Sequence, residues 1–226
     1  MNRIHRFMAA CLLAPGLLIV SARVDAALPP GSTAEDPDIH VPVPAPGMFL
    51  VSARKLRDRH FRKCVIYILR HDHRGTLGLI INKPGALPLS RAIDNVDAEH
   101  ARKHLLYYGG PVETSVITML VKNVPTSSLV EHVAGDIYFS NQRTMMDRLL
   151  KERKPASKLH FFHGHAGWTT GQLEHELSRG DWHLIEGNNR SIFSPEIRGL
   201  WQRLIRKLEP LGMIVRAAAR PAPLSN

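Results

Sequence analysis

Cysteine is nearly missing from this chain: its 226 residues include two, Cys11 and Cys64. Cys11 lies in an N-terminal segment expected to be removed, so a single thiol remains and no internal disulfide framework is available. The common catalytic and cofactor signatures are missing too. There is no Gly-x-Ser-x-Gly elbow of a serine hydrolase and no glycine-rich phosphate loop ending in Lys-Ser/Thr. His175-Glu176 is not followed by the second histidine of a zinc-protease helix. No helix-turn-helix or other DNA-reading motif is legible, and no internal repeat is found. No apolar run reaches the roughly 20 residues of a membrane-spanning helix. Acidic residues are also scarce, 20 against 30 lysines and arginines, for a formal charge of +10. Such an excess suits solubility, or affinity for an anionic partner such as lipid headgroups, acidic glycans or nucleic acid.

What is present starts with an export signal. Arg3 and Arg6 precede a run from Phe7 to Ala22 that is apolar except for Ser21 and is broken at Pro15-Gly16. Val24-Asp25-Ala26 then supplies small residues where a signal peptidase cuts. Residues 1–26 are therefore expected to be a signal peptide, which places the protein in the periplasm or outside the cell; an uncleaved N-terminal membrane anchor is the alternative. Residues 27–46 carry prolines that fix φ and remove donors, and so read as a semi-rigid, disordered spacer. Residues 47–215 are long enough for one domain with its own core, and 216–226 read as a disordered tail.

Within the domain, Cys64-Val-Ile-Tyr-Ile-Leu69 is apolar and β-branched, as in a strand buried on both faces. Leu77–Ile81 is a second strand, and the two predict a hairpin with a five- to seven-residue connection around His71–Gly75. Val116–Val121, Leu159–Phe162 and Trp182–Ile185 are further strands, with Phe49–Val51 and Ile137–Phe139 as shorter ones. A helix is predicted over Gln142–Arg153. A second begins at Ser194-Pro195-Glu196, with a cap, an early proline and an acid at the positive end of the dipole. Its apolar positions Ile197, Leu200, Trp201, Leu204, Ile205 and Leu208 follow the 3.6-residue period, as for a helix laid on a sheet. Without a regular βαβ alternation, the fold class is α+β, with a mixed or mainly antiparallel sheet and helices around it.

The run His163-Gly-His-Ala-Gly-Trp-Thr-Thr-Gly-Gln-Leu-Glu174 places three glycines within eight residues and reads as a tight turn leading into a helix. Thr169 and Gln172 have the spacing of a capping box, and exposed N–H groups there would suit an anion. Gly109-Gly110-Pro111 marks a second sharp turn or close backbone approach. Asn82, Gly109, Gly110, Pro111, Gly167, Trp168 and Gln172 are the candidate ligand-binding residues. Function concentrates on such turns. The pairs His71/His73 and His163/His165 have the two-residue spacing that puts both rings on one face of an extended chain, and are weak candidates for zinc or copper. Cys64 opens an apolar strand, where burial raises a thiol pKa and makes it a poor nucleophile.

Several blocks together resemble the AlgH/YqgE family of bacterial proteins. They are Gly47-Met-Phe-Leu-Val, Gly75-Thr-Leu-Gly-Leu-Ile-Ile-Asn-Lys-Pro, Tyr108-Gly-Gly-Pro-Val and Gly164-His-Ala-Gly-Trp-Thr-Thr-Gly-Gln-Leu-Glu-His-Glu-Leu. Asp58, Phe61, Trp182, Phe193 and Trp201 complete the order. The resemblance covers nearly all of the domain. It implies a compact α+β fold with a strongly bent, barrel-like sheet, no established reaction, and a regulator label inherited through an association with alginate synthesis. The chain departs from the family at Arg59, where proline is usual, at Cys64, where serine is usual, and at Arg70, where an acid is usual.

The reading that follows is a non-enzymatic binding or regulatory protein of the cell envelope, with no catalytic residue and no cofactor. Its partner is an anionic small molecule or a protein, since an exported chain would not meet DNA. The alternatives are a hydrolase or metal-dependent enzyme using His71, His73, His163 or His165, and a transcriptional regulator.

Overall fold

The computed structural model describes residues 42–94 and 98–209. The proposed signal, most of the spacer and the tail lie outside them. Among the described residues ten strands form one sheet in the order β10-β1-β2-β3-β9-β6-β8-β7, with β4 paired to β5 and β5 to β9. The strands are β1 (Phe49–Ser52), β2 (Val65–Asp72), β3 (Gly75–Ile80), β4 (Pro84–Pro88), β5 (Leu105–Tyr108), β6 (Val112–Lys122), β7 (Glu131–Ala134), β8 (Ile137–Ser140), β9 (Leu159–Trp168) and β10 (Trp182–Ile185). Among the described residues five helices accompany them: α1 (Ala98–Ala101), α2 (Arg143–Lys151), α3 (Gln172–Ser178), α4 (Asn189–Ile192) and α5 (Leu200–Leu208). All pairings are antiparallel except β5 with β9. The fold is thus α+β with a large, mainly antiparallel sheet. It is not closed into the barrel-like form the resemblance implies, since β10 and β7 end the path as separate edges.

Alternation explains the core. Along β2, Val65, Tyr67 and Leu69 point to one side and Ile66 and Ile68 to the other, all at most 2% exposed. The first set packs against Leu200, Trp201 and Ile205 of α5. The second packs against Trp168, Leu173 of α3 and Trp182. In α2, Met145, Met146, Leu149 and Leu150 recur at helical spacing and cover Met119, Val121, Leu159 and Phe161. The Trp201 indole N–H donates to the Ser52 carbonyl at 2.8 Å and fixes α5 to β1.

Three elements differ from the sequence expectation. The β2–β3 connection is only His73-Arg74, because Arg70, His71 and Asp72 continue the strand opposite Leu77, Thr76 and Gly75. The helix expected at Ser194 starts at Leu200, after a 3-10 turn over Ile197–Gly199. The Ser194 hydroxyl accepts from the Glu196 N–H at 3.2 Å, which caps that lead-in and not the helix. Most consequentially, His163–Trp168 is not a turn but the second half of β9.

At Gly164, β9 changes neighbour. Before it, Phe161–His163 pair with β5; after it, Ala166–Trp168 pair with β3. Gly109 sits in this fork, donating its N–H to the His163 carbonyl at 2.9 Å and accepting from Ile80 N–H at 2.8 Å. Gly164 has φ +67°, and a Cβ there would lie 2.3 Å from the Gly110 carbonyl oxygen. A Cβ on Gly110 would lie 2.2 Å from the His165 carbonyl carbon. The two glycine segments therefore meet backbone to backbone, which no side chain would permit.

Candidate functional site

The fork brings together the turn after β2 and the end of β9. Thr76 pairs with Trp168 and Leu77 with Gly167, while the Thr170 hydroxyl donates to the His73 carbonyl at 2.8 Å. Above this junction lies a cleft of about 340 Å³, lined by Arg70, Arg74, Gly75, Thr76, Leu77, Val112, His165, Gly167, Trp168, Thr169 and Gln172. Of the sequence candidates, Gly167, Trp168 and Gln172 stand in its wall.

The remaining candidates stand elsewhere. Asn82 is 7% exposed; its side-chain oxygen accepts from Val65 N–H at 2.8 Å and its amide donates to the Lys63 carbonyl at 3.0 Å. It ties down the start of β2. Gly109 and Gly110 are buried in the fork, and Pro111 follows them into β6. Of the four histidines weighed as ligands, His71 shares a hydrogen bond with the Thr76 hydroxyl at 2.8 Å and lies 3.6 Å from Glu174. His163 meets Tyr108 edge to face, with ring centroids 5.4 Å apart. His73 is on the exposed hairpin turn, and His165 is on the cleft wall. Among the described residues no group of three or more His, Cys, Asp or Glu side chains is placed to hold a metal ion.

The cleft sets two arginines and an imidazole among a largely apolar lining. Arg70 extends over the Phe139 ring and meets Glu131 at 2.8 Å. Arg74 meets Asp72 at 3.0 Å. Both pairs are largely exposed, where such contacts contribute little and exchange readily with a competing anion. Burial holds the His165 imidazole below its ordinary pKa, opposed by Glu113 at 3.9 Å, so it presents a neutral ring. Glu113 has φ +47°, in an irregular stretch where β6 loses register with β9 between Val112 and Ile117. Strained non-glycine positions of this kind cluster at binding sites.

The floor of the cleft is rigid. The Trp168 indole N–H donates to Glu176 Oε2 at 3.0 Å, and so does that of Trp182, at 2.8 Å. Gln172 donates to Glu176 Oε1 at 3.0 Å. The Gln172 side-chain oxygen also accepts the Thr169 N–H at 3.2 Å and its hydroxyl at 3.3 Å. This is half of the expected capping box. The helix N-cap is Gly171 at φ +78°, not Thr169. Sequence reasoning missed Arg70, Arg74 and Thr76 as cleft residues, since the β3–β9 pairing that gathers them spans some ninety residues of chain, and it took Thr169 only as a helix cap.

Cys64 is fully buried, and desolvation pushes its thiol up to about 12. With about three pKa units less thiolate, its alkylation by iodoacetamide in the folded chain is expected to be about a thousandfold slower than after unfolding. Peptide mass mapping of Cys64 checks this; labelling of the native protein at the denatured rate would refute the sealed environment.

Fold and cleft together define a small α+β protein whose forked open sheet carries a cleft with two arginines at the end of its central strand. The AlgH-like (DUF179) family model matches residues 49–211, and the chain belongs to that family. A UPF0301 protein of Coxiella burnetii (Dugway strain) is 32% identical over 160 residues, 69% of this chain and 84% of its own length. One of Rhodococcus jostii is 32% identical over 180 residues, 78% of this chain and 88% of its own. The solution structure of the AlgH protein from Pseudomonas aeruginosa is similar at a TM-score of 0.60 and 25% identity, covering 79% of this chain and 95% of that one. A Corynebacterium diphtheriae protein of 24% identity shares the fold, also at 0.60.

Proposed function

We propose that this AlgH-like protein is a non-catalytic binding protein of the cell envelope, and that it holds a small anion in the cleft beside Trp168. One observation carries the reading: two guanidinium groups, an imidazole, two threonines and the Gln172 side chain line one small depression on a stiff floor. Preorganised donors of this kind favour carboxylate or phosphate, arginine above all. Arg70 sharpens the point, since it stands where the family resemblance has an acid. The envelope address rests on the basic, apolar and small-residue order of positions 1–26. Among the described residues no helix is long and apolar enough to cross a membrane.

NMR titration with inorganic phosphate, acetate and succinate tests the site. Shifts are expected at Gly75, Thr76, Gly167, Thr169 and the Trp168 indole N–H, and they should weaken at least tenfold in Arg70→Ala/Arg74→Ala. Shifts confined to other surfaces, or equal in wild type and variant, reject the cleft. Fusing residues 1–47 to alkaline phosphatase tests the address separately: an active fusion supports export, and an inactive one returns the protein to the cytoplasm.

A further inference from the structure

The base of the molecule, away from the cleft, buries three histidines. His100 is in α1, His104 lies between α1 and β5, and His160 is the second residue of β9; they are 6%, 1% and 6% exposed. His100 Nε2 lies 3.2 Å from His104 Nε2 and 3.0 Å from the Lys154 carbonyl oxygen. A neutral imidazole carries one N–H. If His100 Nε2–H is turned to Lys154, His104 Nε2 is left to accept, and the His104 proton must sit on Nδ1. That atom is buried and has no partner. If His104 Nε2–H donates instead, His100 Nε2 faces the Lys154 carbonyl lone pair to lone pair. Neither arrangement satisfies every atom.

His160 repeats the problem on the other face of β9. Its ring stacks on Tyr107 at 4.6 Å and tilts against Phe193 at 4.8 Å. Its Nδ1 has no partner, and its Nε2 is 3.4 Å from the Tyr107 hydroxyl. Buried polar atoms without partners are rare in folded proteins, and each calls for a physical reason.

A second proton on either ring would create a buried cation. The backbone carbonyls of Leu159 and Lys154 beside His104, and of Ala156 beside His160, favour it less than burial disfavours it. The loop after α2 brings Lys154 and Lys158, the turn after α1 brings Arg102 and Lys103, and Arg198 acts on Tyr107. The acids nearby are Glu99, exposed on α1, and Glu152, held by Arg148 at 2.8 Å. Burial accordingly depresses both rings, with His160 held at about 4 and the His100 charge acting further on His104.

We propose that His100, His104 and His160 form a proton-operated latch that holds α1 and β5 against the Lys154–Lys158 loop and the start of β9, and releases them in mild acid. The attachment is thin enough to yield: β5 pairs with β9 over Leu106–Tyr108 only. The unfolded pKa of histidine is about 6.5. Because the closed-state values of His104 and His160 are depressed, the latch is fully held above that pH and weakens as pH falls from about 6.5 towards those values. Each excluded proton lowers the closing constant up to tenfold per pH unit in this window.

Hydrogen exchange of the full chain at pH 7 and pH 5, corrected for intrinsic rates, tests the latch. Protection over 98–108 and 154–162 is expected to fall at least tenfold while β1–β3 keep theirs, and His104→Phe/His160→Phe should remove the difference. Loss of protection everywhere at the same pH, or an unchanged loss in the variant, overturns the proposal. Should that variant not fold, histidine ring titration of the wild type decides: His104 and His160 titrating together with segment opening support the latch, and ordinary titration near 6.5 without opening overturns it.

Discussion

Gly164→Ala is expected to destabilise the fold by about 4 kcal/mol or more, which lowers Tm by about 10 °C or more for a domain of this size. Two effects combine. At φ +67° an alanine sits in the left-handed region, at a cost of roughly 1–2 kcal/mol. The larger effect is steric: its Cβ would lie 2.3 Å from the Gly110 carbonyl oxygen and 3.0 Å from that of Val112. Both neighbours are backbone, held by the pairing of β9 with its partners, so neither can swing away. Gly171→Ala supplies the internal comparison. Its φ is +78°, but nothing lies within 4 Å of the added carbon, so only the conformational cost remains. A calorimetric scan of the two variants separates the effects. Equal Tm losses would mean that the glycine segments do not pack as described.

The contrast also shows what the residues disclosed by themselves. The strand over Val65–Leu69 and the apolar face of α5 were legible because burial on two faces, or on one stripe, writes itself into local periodicity. Of the glycine run, the turn into α3 at Thr170–Gly171 is as the sequence implies, whereas His163–Trp168 is strand, for a physical reason. Glycine signals that a backbone must come close to something, but not whether that something is its own chain two residues on or another strand. Here the partner is Gly110, more than fifty residues earlier. β4 is Pro-Gly-Ala-Leu-Pro, whose composition argues against a strand; it pairs with β5 alone and needs few donors. β7, Glu131–Ala134, is a polar edge without apolar alternation. The cleft was half legible. Gly167, Trp168 and Gln172 belong to one contiguous block, whereas Arg70 and Arg74 join them only through the β3–β9 register. The buried histidines had no local signal, because their surroundings come from α1, β5, β9 and the loop after α2.

The stiffness of the cleft floor leads to the second large effect. Glu176 is part-buried and accepts from three donors: the indoles of Trp168 and Trp182 on one oxygen and the Gln172 amide on the other. The two indoles meet at 82° with centroids 5.9 Å apart, and Phe61 packs on both, 6.2 Å from Trp168 and 5.8 Å from Trp182. Glu176→Ala leaves both indole N–H groups without an acceptor. Unmet donors cost roughly 1–3 kcal/mol each, and partial access to water places this pair at the lower end, for a loss of about 2–4 kcal/mol. Glu176→Gln should cost about 1 kcal/mol, because its single oxygen still accepts from both indoles while its amide meets the Gln172 donor head on. Glu176→Ala should also alter tryptophan emission, since two of the three tryptophans in the chain lose their polar partner together. It should also weaken small-anion binding in the cleft, since Trp168 forms its floor and Gln172 its rim. Thermal denaturation and tryptophan emission of both variants measure the first two effects. Alanine and glutamine variants with Tm and emission both equal to wild type would show that Glu176 does not organise this corner, and that the cleft owes its rigidity to the fork alone.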